Sequence, residues 1–365
     1  TAAGLAGFSG AVWPLQGIGL FLLELGISIV LFECGGRIPL RWFRHNPMVL
    51  VQSMAESALT YFAVYWVLVW LDMPAHVAGP LALVALAASP AVLTRVVADT
   101  RAAGPVTERA IVLATLSTLY ALTLGSARAE QINRQSVTLL DTMYPVVVVL
   151  GVSIIVAAVL SLALRMALRF MSPTSENTSM LLLALIAAAT AVAAHMGGSA
   201  PLAALLGGML LKQLNPRPWA WPRQLGNASS LLTMLMFVLV STVAAQADWS
   251  GPVAGVVLTL IAVRLAAKAV GVGLGNVGSG ASWRQALWVG CAMTPMSSIA
   301  LLIASQFVVA SPSTGHLIAR VALPAILLME VLGAVIATVA IYRAGESSKP
   351  WAPLSRGGNG DRSES

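Results

Sequence analysis

Ala87-Ala88-Ser89-Pro90-Ala91, inside an apolar run from about His76 to Val97, and Met293-Thr294-Pro295-Met296-Ser297-Ser298, inside Arg284 to Gln306, decide the fold of this chain. Each stretch sets a proline beside a hydroxyl residue near the middle of a segment apolar enough to cross a bilayer. Proline has no N–H and its ring clashes with the preceding turn. A helix broken there leaves carbonyls and amides unpaired at a depth that water does not reach. Such backbone is tolerated only where it is buried in protein or lines a cavity. A matched pair of interrupted segments, one in each half of a chain, is the pattern of an inverted-repeat secondary transporter with its site at the breaks. Two prolines that merely kink packed helices would give the same sequence signal.

The composition around these stretches fixes the class. Of the 365 residues, 58% are hydrophobic and 10% charged, and the mean hydropathy is +0.85, a balance foreign to soluble domains of this size. The chain is an all-α polytopic membrane protein. At about 20 apolar residues per crossing, eleven spans are expected: 11–32, 47–71, 76–97, 108–127, 137–164, 178–194, 199–212, 225–246, 251–277, 284–306 and 317–342. The sixth and seventh are short and meet at His195-Met196-Gly197-Gly198. The expected organisation is one transmembrane domain, 1–343, with repeat halves at about 11–165 and 178–342, followed by a disordered cytoplasmic tail over 344–365.

A net charge of +7 and a pI near 10.0 invite a nucleic-acid reading, which the placement of the charges excludes. Arg37, Arg41, Arg44, Arg95, Arg101, Arg109, Arg165, Arg169, Lys212, Arg217, Arg223 and Arg284 all fall at one end of the expected spans. The other end holds Arg128 and Arg134, with Asp72 and Asp248 in otherwise uncharged turns. By the positive-inside rule the chain starts outside and its C-terminus is cytoplasmic. Cys34 and Cys291 lack metal-ligand spacing and read as small buried hydrophobes. Gly271, Gly273 and Gly275 lie inside a hydrophobic span, which argues against a phosphate-cradling loop. His45, His76, His195 and His316 fall at span ends without a nucleophile or metal partner, so no enzyme, cofactor or metal is expected.

An ionisable side chain at the bilayer centre costs at least about 2.5–3.5 kcal/mol, so each one needs a partner or a wet cavity. The candidates are Glu24, Glu56, Asp141, Arg264, Lys268 and Glu330, with Glu33 interfacial and Asp141 close to the outer boundary. Arg264 and Lys268, four apart, share a helix face. Lys268 can pair with Glu56 or with the exposed carbonyls of a broken helix, and suits either a lock on those carbonyls, the reading preferred here, or a group that titrates in transport. Glu56, with Ser53, Ser57 and Thr60 within a turn, is either a cavity-facing acid that exchanges a cation for a proton or a hydrogen-bonded structural acid. Glu330, close to Gly333, reads as a helix-packing residue. The hydroxyl run Thr115, Ser117, Thr118, Tyr120 and Thr123 suits helix packing, yet Ser117 and Thr118 also stand where they can line the cavity beside the first break.

The order of these motifs resembles the cation:proton antiporter superfamily, in particular its Kef-type branch of monovalent cation/proton exchangers. The matching stretches are Glu24-Leu25-Gly26 to Gly35-Gly36, Ala88 to Val92, Gly104 to Arg109 with Ala114 to Leu122, Leu205 to Leu211, Arg264 to Lys268, Thr294-Pro295, and Leu327 to Gly333 ending at Arg343-Ala344-Gly345-Glu346. The resemblance implies the inverted-repeat sodium/proton antiporter fold with two crossed broken helices, and a homodimer. It also implies that the chain begins at the family's third helix, two of the usual thirteen being absent through truncation or a short gene product. Members usually carry Asn-Asp or Asp-Asp on the helix after the first break. Ser117 and Thr118 stand there instead, Ser89 takes the place of an aspartate common in the first break, and Met296 and Ser298 replace charged residues of the second. Lys268 matches the family's basic position without its usual acid.

The resulting expectation is a secondary transporter that exchanges Na⁺ or K⁺ for protons across the lipid bilayer by alternating access. Ser89, Ser117, Thr118, Thr294, Ser298 and carbonyls at the breaks near Pro90 and Pro295 would hold the cation, Glu56 would replace the absent aspartate, and Arg264 and Lys268 would be structural charges. A hydroxyl does not exchange a proton near neutral pH, so coupling requires Glu56. The alternatives are an exchange-inactive structural or regulatory subunit of the same fold, and a carrier of an anion or neutral solute drawn by Lys268 and helix N-termini.

Overall fold

Among the described residues of the computed structural model, every element is a helix, and the only β-type pairing is an isolated antiparallel bridge, Ala102 with Ser347. The described residues are 18–38, 40, 43, 46–134, 139–171, 176–215, 231–232, 234–235, 238, 251–277 and 279–348. The helices are α1 (Ile18–Gly36), α2 (Met48–Trp70), α3 (Ala75–Leu86), α4 (Pro90–Thr100), α5 (Pro105–Arg134) and α6 (Leu139–Phe170). They continue with α7 (Glu176–His195), α8 (Ala200–Leu214), α9 (Gly251–Leu274), α10 (Trp283–Ala292), α11 (Ser298–Ala310) and α12 (Pro312–Ala344). Every expected span is present as a helix or a helix pair except the eighth, 225–246, which lies largely outside the described residues, as do Arg41, Arg44, His45, Arg217, Arg223 and Asp248. Asp141 falls in α6, but its side chain is not among those described.

Ala75–Thr100, Pro105–Ile132, Met143–Phe170, Asn177–His195, Gly251–Leu274 and Pro312–Ala344 are each long and apolar enough to cross a membrane. Their outward side chains are apolar too: Ile155, Val159, Leu162, Leu258 and Val335 are all exposed. That surface is at home in lipid.

Both breaks form where the proline rule puts them. α3 stops at Leu86, Ala87 is extended, and Ser89 caps α4, its Oγ accepting from the Val92 amide at 3.4 Å. Pro90 occupies the first turn of α4, where its missing N–H would have had no partner. α10 stops at Ala292, and Thr294-Pro295 lead through Ser297 into α11.

The order single helix, broken pair, long helix occurs twice: α2, α3/α4, α5 and again α9, α10/α11, α12. The two copies meet along α2 and α9 at glycines. A Cβ on Gly271 would stand 2.6 Å from the Glu56 Cα, and one on Gly275 2.5 Å from the Gln52 Cα. Residue number falls along α2 as it rises along α9, so the helices run antiparallel, as an inverted repeat requires. The glycine run of α9 is therefore a close-packing surface. α1, α6, α7 and α8 form a second bundle, with α8 packed on α1, α6 and α7, and the described contacts between the bundles run mainly through α5 with α6 and α1 with α11 and α4.

The chain beyond α12 is more ordered than expected. Gly345 closes the helix at φ 76°. The Glu346 carboxylate then accepts from the amides of Val106 and Thr107 and from the Thr107 hydroxyl, each at 2.7 Å. Ser347 Oγ donates to the Thr100 carbonyl at 3.0 Å and Ser348 Oγ to the Arg101 carbonyl at 2.7 Å. The amides at the start of α5 have no partners within their own helix, and Glu346 supplies one. Disorder expected from residue 344 is thus corrected for 344–348, while 349–365 lie outside the described residues.

Candidate functional site

The crossing is built on Arg264. Its guanidinium is fully buried. Nε donates to the Ala85 carbonyl at 2.7 Å, Nη2 to Ala87 at 2.8 Å and Nη1 to Thr294 at 2.7 Å. These carbonyls belong to the ends of α3 and α10, where the last turn of a helix has no internal donors and carries the negative end of its dipole. A planar cation with donors pointing several ways meets both ends at once. The breaks also bond each other. The Ser89 amide donates to the Pro295 carbonyl at 3.0 Å, and the Ser89 and Ser297 hydroxyls lie 2.7 Å apart. Thr118 Oγ1 lies 2.9 Å from the Ala88 carbonyl and 2.8 Å from Ala114's, and Thr294 Oγ1 donates to Cys291 at 2.8 Å.

One turn along α9, Lys268 Nζ donates to Glu56 Oε1 at 2.5 Å, and both side chains are completely buried. Three hydroxyls complete the shell of the carboxylate. Ser117 donates to Oε2 at 2.5 Å, Ser57 to Oε2 at 3.2 Å and Thr60 to Oε1 at 3.3 Å. The Lys268 ammonium also reaches the Leu86 carbonyl at 3.4 Å. A buried ion pair survives desolvation only with good geometry and its remaining lone pairs satisfied. This one has both.

Two sequence expectations change here. The carbonyl ends of the breaks are held by Arg264, with Lys268 making one longer contact, because Arg264 lies one turn closer to the crossing. Lys268 has its acid after all: Glu56 arrives from α2, 212 residues away in sequence, and Ser117 on α5 bonds that acid. The expected site residues separate into groups. Glu56, Ser117 and Lys268 meet directly. Ser89, Thr118, Thr294 and Arg264 join the breaks, with Pro90 and Pro295 in the turns, and the break carbonyls are largely occupied. Ser298 is half-buried on the wall of a cavity. Ser57 and Thr60, which the sequence sets within a turn of Glu56, do bond its carboxylate, whereas Ser297 was not expected at the site and its approach to Ser89 left no signal in the sequence.

Cavities flank the crossing from both sides. The larger, about 950 Å³, is lined by Ser57, Tyr61, Tyr65, His76, Tyr120 and Arg128 among others. The smaller, about 530 Å³, is lined by Val92, Arg95, Asp99, Ser297, Ser298 and Glu330 among others. One touches α3 and the other α4, the two halves of one broken helix, so they open on opposite sides of the break. Both also touch the second bundle, the larger through Met143 and Val146 of α6 and the smaller through Ile27 and Val30 of α1. No curated protein matches the chain.

Among solved structures, the chain resembles the sodium proton antiporter MjNhaP1 from Methanocaldococcus jannaschii at pH 8, at 15% identity and a TM-score of 0.68, over 88% of this chain and 84% of that one. It also resembles the same antiporter as seen in an electron-microscopy map, at 15% identity and a TM-score of 0.65, over 89% of this chain and 84% of that one. These likenesses establish the antiporter fold. The sodium/hydrogen exchanger transmembrane family model matches residues 5–343, and the chain belongs to that family.

Proposed function

We propose that the protein exchanges Na⁺ or K⁺ for protons by alternating access, with Glu56 as the coupling acid. The observation that carries this reading is the Glu56 carboxylate, held by Lys268 and Ser117 at the crossing with a cavity on either side. A hard monovalent cation takes oxygen ligands. The Glu56 carboxylate and the hydroxyls of Ser57, Thr60 and Ser117 supply them, and Ser57 also lines the larger cavity. Cation and ammonium then compete for one carboxylate. Two cations there repel in a poorly solvated site, so a metal ion taking the Glu56 carboxylate drives the pair's shared proton, carried by the Lys268 ammonium while Glu56 is ionised, out to the cavity, and its departure lets a proton return to the pair.

The family and the fold support antiport. We take the end bearing Arg101, Arg109, Arg284 and Arg343 as cytoplasmic, which the positive-inside rule supports. A homodimer in a bacterial inner membrane is the assembly that the resemblance supports.

The test uses the protein in proteoliposomes under an imposed pH gradient, with a pH-sensitive dye and added Na⁺ or K⁺. Cation-dependent collapse of the gradient is expected, and Glu56→Gln is expected to abolish it. No response across about pH 6–9, a window spanning neutrality, would sink the proposal and leave the pair as a fixed structural bond.

A further inference from the structure

Glu330 lies well away in sequence from the Glu56 shell, on α12, and among the described residues it is the acid with a buried carboxyl oxygen, Oε2, that lacks a hydrogen-bond partner. The residue is 9% exposed. Packing alone is a poor reason for such a group, because a buried polar atom without a partner costs free energy that an apolar side chain would avoid. Glu330 lines the smaller cavity together with Ser297 and Ser298 at the start of α11 and Ala91 and Val92 at the start of α4.

Arg95 and Asp99, both on α4, are the other charged groups on this wall. α9 also packs on α12, but it directs Arg264 at the break carbonyls and Lys268 at Glu56. The parts of α1 and α11 that line the cavity are uncharged, as are the lining residues Met234 and Val238. Two acids against one base leave the cavity negative when both acids are ionised. That charge, with carboxylate and hydroxyl oxygens on the wall, suits a small cation and disfavours an anion.

We propose that Glu330 is a second carboxyl at which a proton and a monovalent cation compete, reached from the smaller cavity. Protonation neutralises the unpaired oxygen when no cation is present, and a cation drawn from the cavity displaces that proton to solvent. The site extends the exchange reading without depending on Glu56. It lies on the opposite side of the break from the larger cavity, so it loads from the other face of the membrane.

The test is proton release from the purified full chain in weakly buffered detergent, read with a pH dye on addition of NaCl or KCl, with choline chloride as control. Wild type, Glu56→Gln, Glu330→Gln and the double variant are compared, with gel filtration as the check on folding. Glu56→Gln is expected to keep part of the sodium-dependent release, and the double variant to lose it. If Glu56→Gln alone abolishes release while Glu330→Gln matches wild type, the Glu330 proposal is overturned and exchange at Glu56 stands. If release survives Glu56→Gln in full and disappears in Glu330→Gln, the Glu330 site stands and the Glu56 reading falls. Absence of release from wild type overturns both. Should Glu330→Gln not fold, infrared spectra of a Glu24→Gln/Glu56→Gln protein decide the matter. A protonated carboxyl band lost on sodium addition supports the site, and the absence of any such band overturns it.

Discussion

Glu56 and Lys268 are completely buried, so each is tolerable only because the other is there. Removing the ammonium strands a carboxylate whose other donors, among the described residues, are hydroxyls. Lys268→Ala is expected to lower stability by about 3–5 kcal/mol, the usual result of breaking a buried pair by removing one partner. Removing both charges while keeping the shape avoids that penalty. Glu56→Gln with Lys268→Met is expected to recover most of the stability and none of the exchange, a separation that thermal unfolding in detergent and vesicle assays read independently. A double variant as unstable as Lys268→Ala would show that the pair does more than neutralise itself. Glu56 could be singled out in the sequence because an acid nine residues into a span needs a reason. Its pairing with Lys268 could be named only as one of two open to that lysine, because nothing local links α2 to α9, and the glycine contacts that bring Gly271 against the Glu56 backbone are what set the pairing. The same blindness applied to Ser117, which reads as a lost aspartate until the acid on the facing helix is in view.

At the scale of elements, the broken helices were legible from Pro90 and Pro295, each beside a hydroxyl residue in mid-span and matched between the halves, whereas Pro80, Pro145 and Pro324 sit inside helices without breaking them. What binds the halves was less so, because Arg264 and Lys268 share a face and one turn decides which of them meets the carbonyls. Arg264→Lys keeps the charge but replaces a fork of donors with a point charge that cannot hold Ala85, Ala87 and Thr294 together. At about 1.5–3 kcal/mol for each charged hydrogen bond lost, the variant is expected to unfold at lower temperature, with faster amide exchange at residues 85–89 and 293–297. Unchanged exchange there would show that the crossing does not need the fork. The C-terminal clasp is a smaller effect of the same kind. Glu346→Gln removes a full charge from the positive end of α5, where such an interaction contributes about 0.3–1 kcal/mol, and up to about 2 where partly buried. Amide exchange at Val106 and Thr107 is therefore expected to rise several-fold, with the remainder of α5 unaffected. Sequence composition hid this clasp, because a Gly-Glu-Ser-Ser stretch after a helix has the look of a solvated tail until the orphaned amides of α5 stand opposite it.

For the whole molecule, the inverted repeat explains why a cavity lies on each side of one crossing. Each copy contributes a broken helix whose halves point to opposite faces, so any space left beside one half has its counterpart beside the other. The seam between the two bundles supplies that space. Movement of α2–α5 and α9–α12 against α1 and α6–α8 would widen one cavity as it narrows the other, with the Glu56 shell carried along intact because its three helices, α2, α5 and α9, belong to the same bundle. Reagent access tests this directly. With Cys34→Ser and Cys291→Ser as background, a thiol at Tyr61→Cys reports on the larger cavity and one at Ser298→Cys on the smaller. A membrane-impermeant maleimide is expected to label Tyr61→Cys only from outside and Ser298→Cys only from inside in oriented vesicles. Sodium is expected to change the two rates in opposite directions, since a ligand shifts a two-state equilibrium toward the state it binds better. Rates that rise or fall together would mean that the cavities breathe as one, which rigid-body exchange of access does not allow. Rates indifferent to sodium would mean that the ion makes no distinction between the two arrangements, and a seam that moves without regard to its cargo cannot couple two gradients.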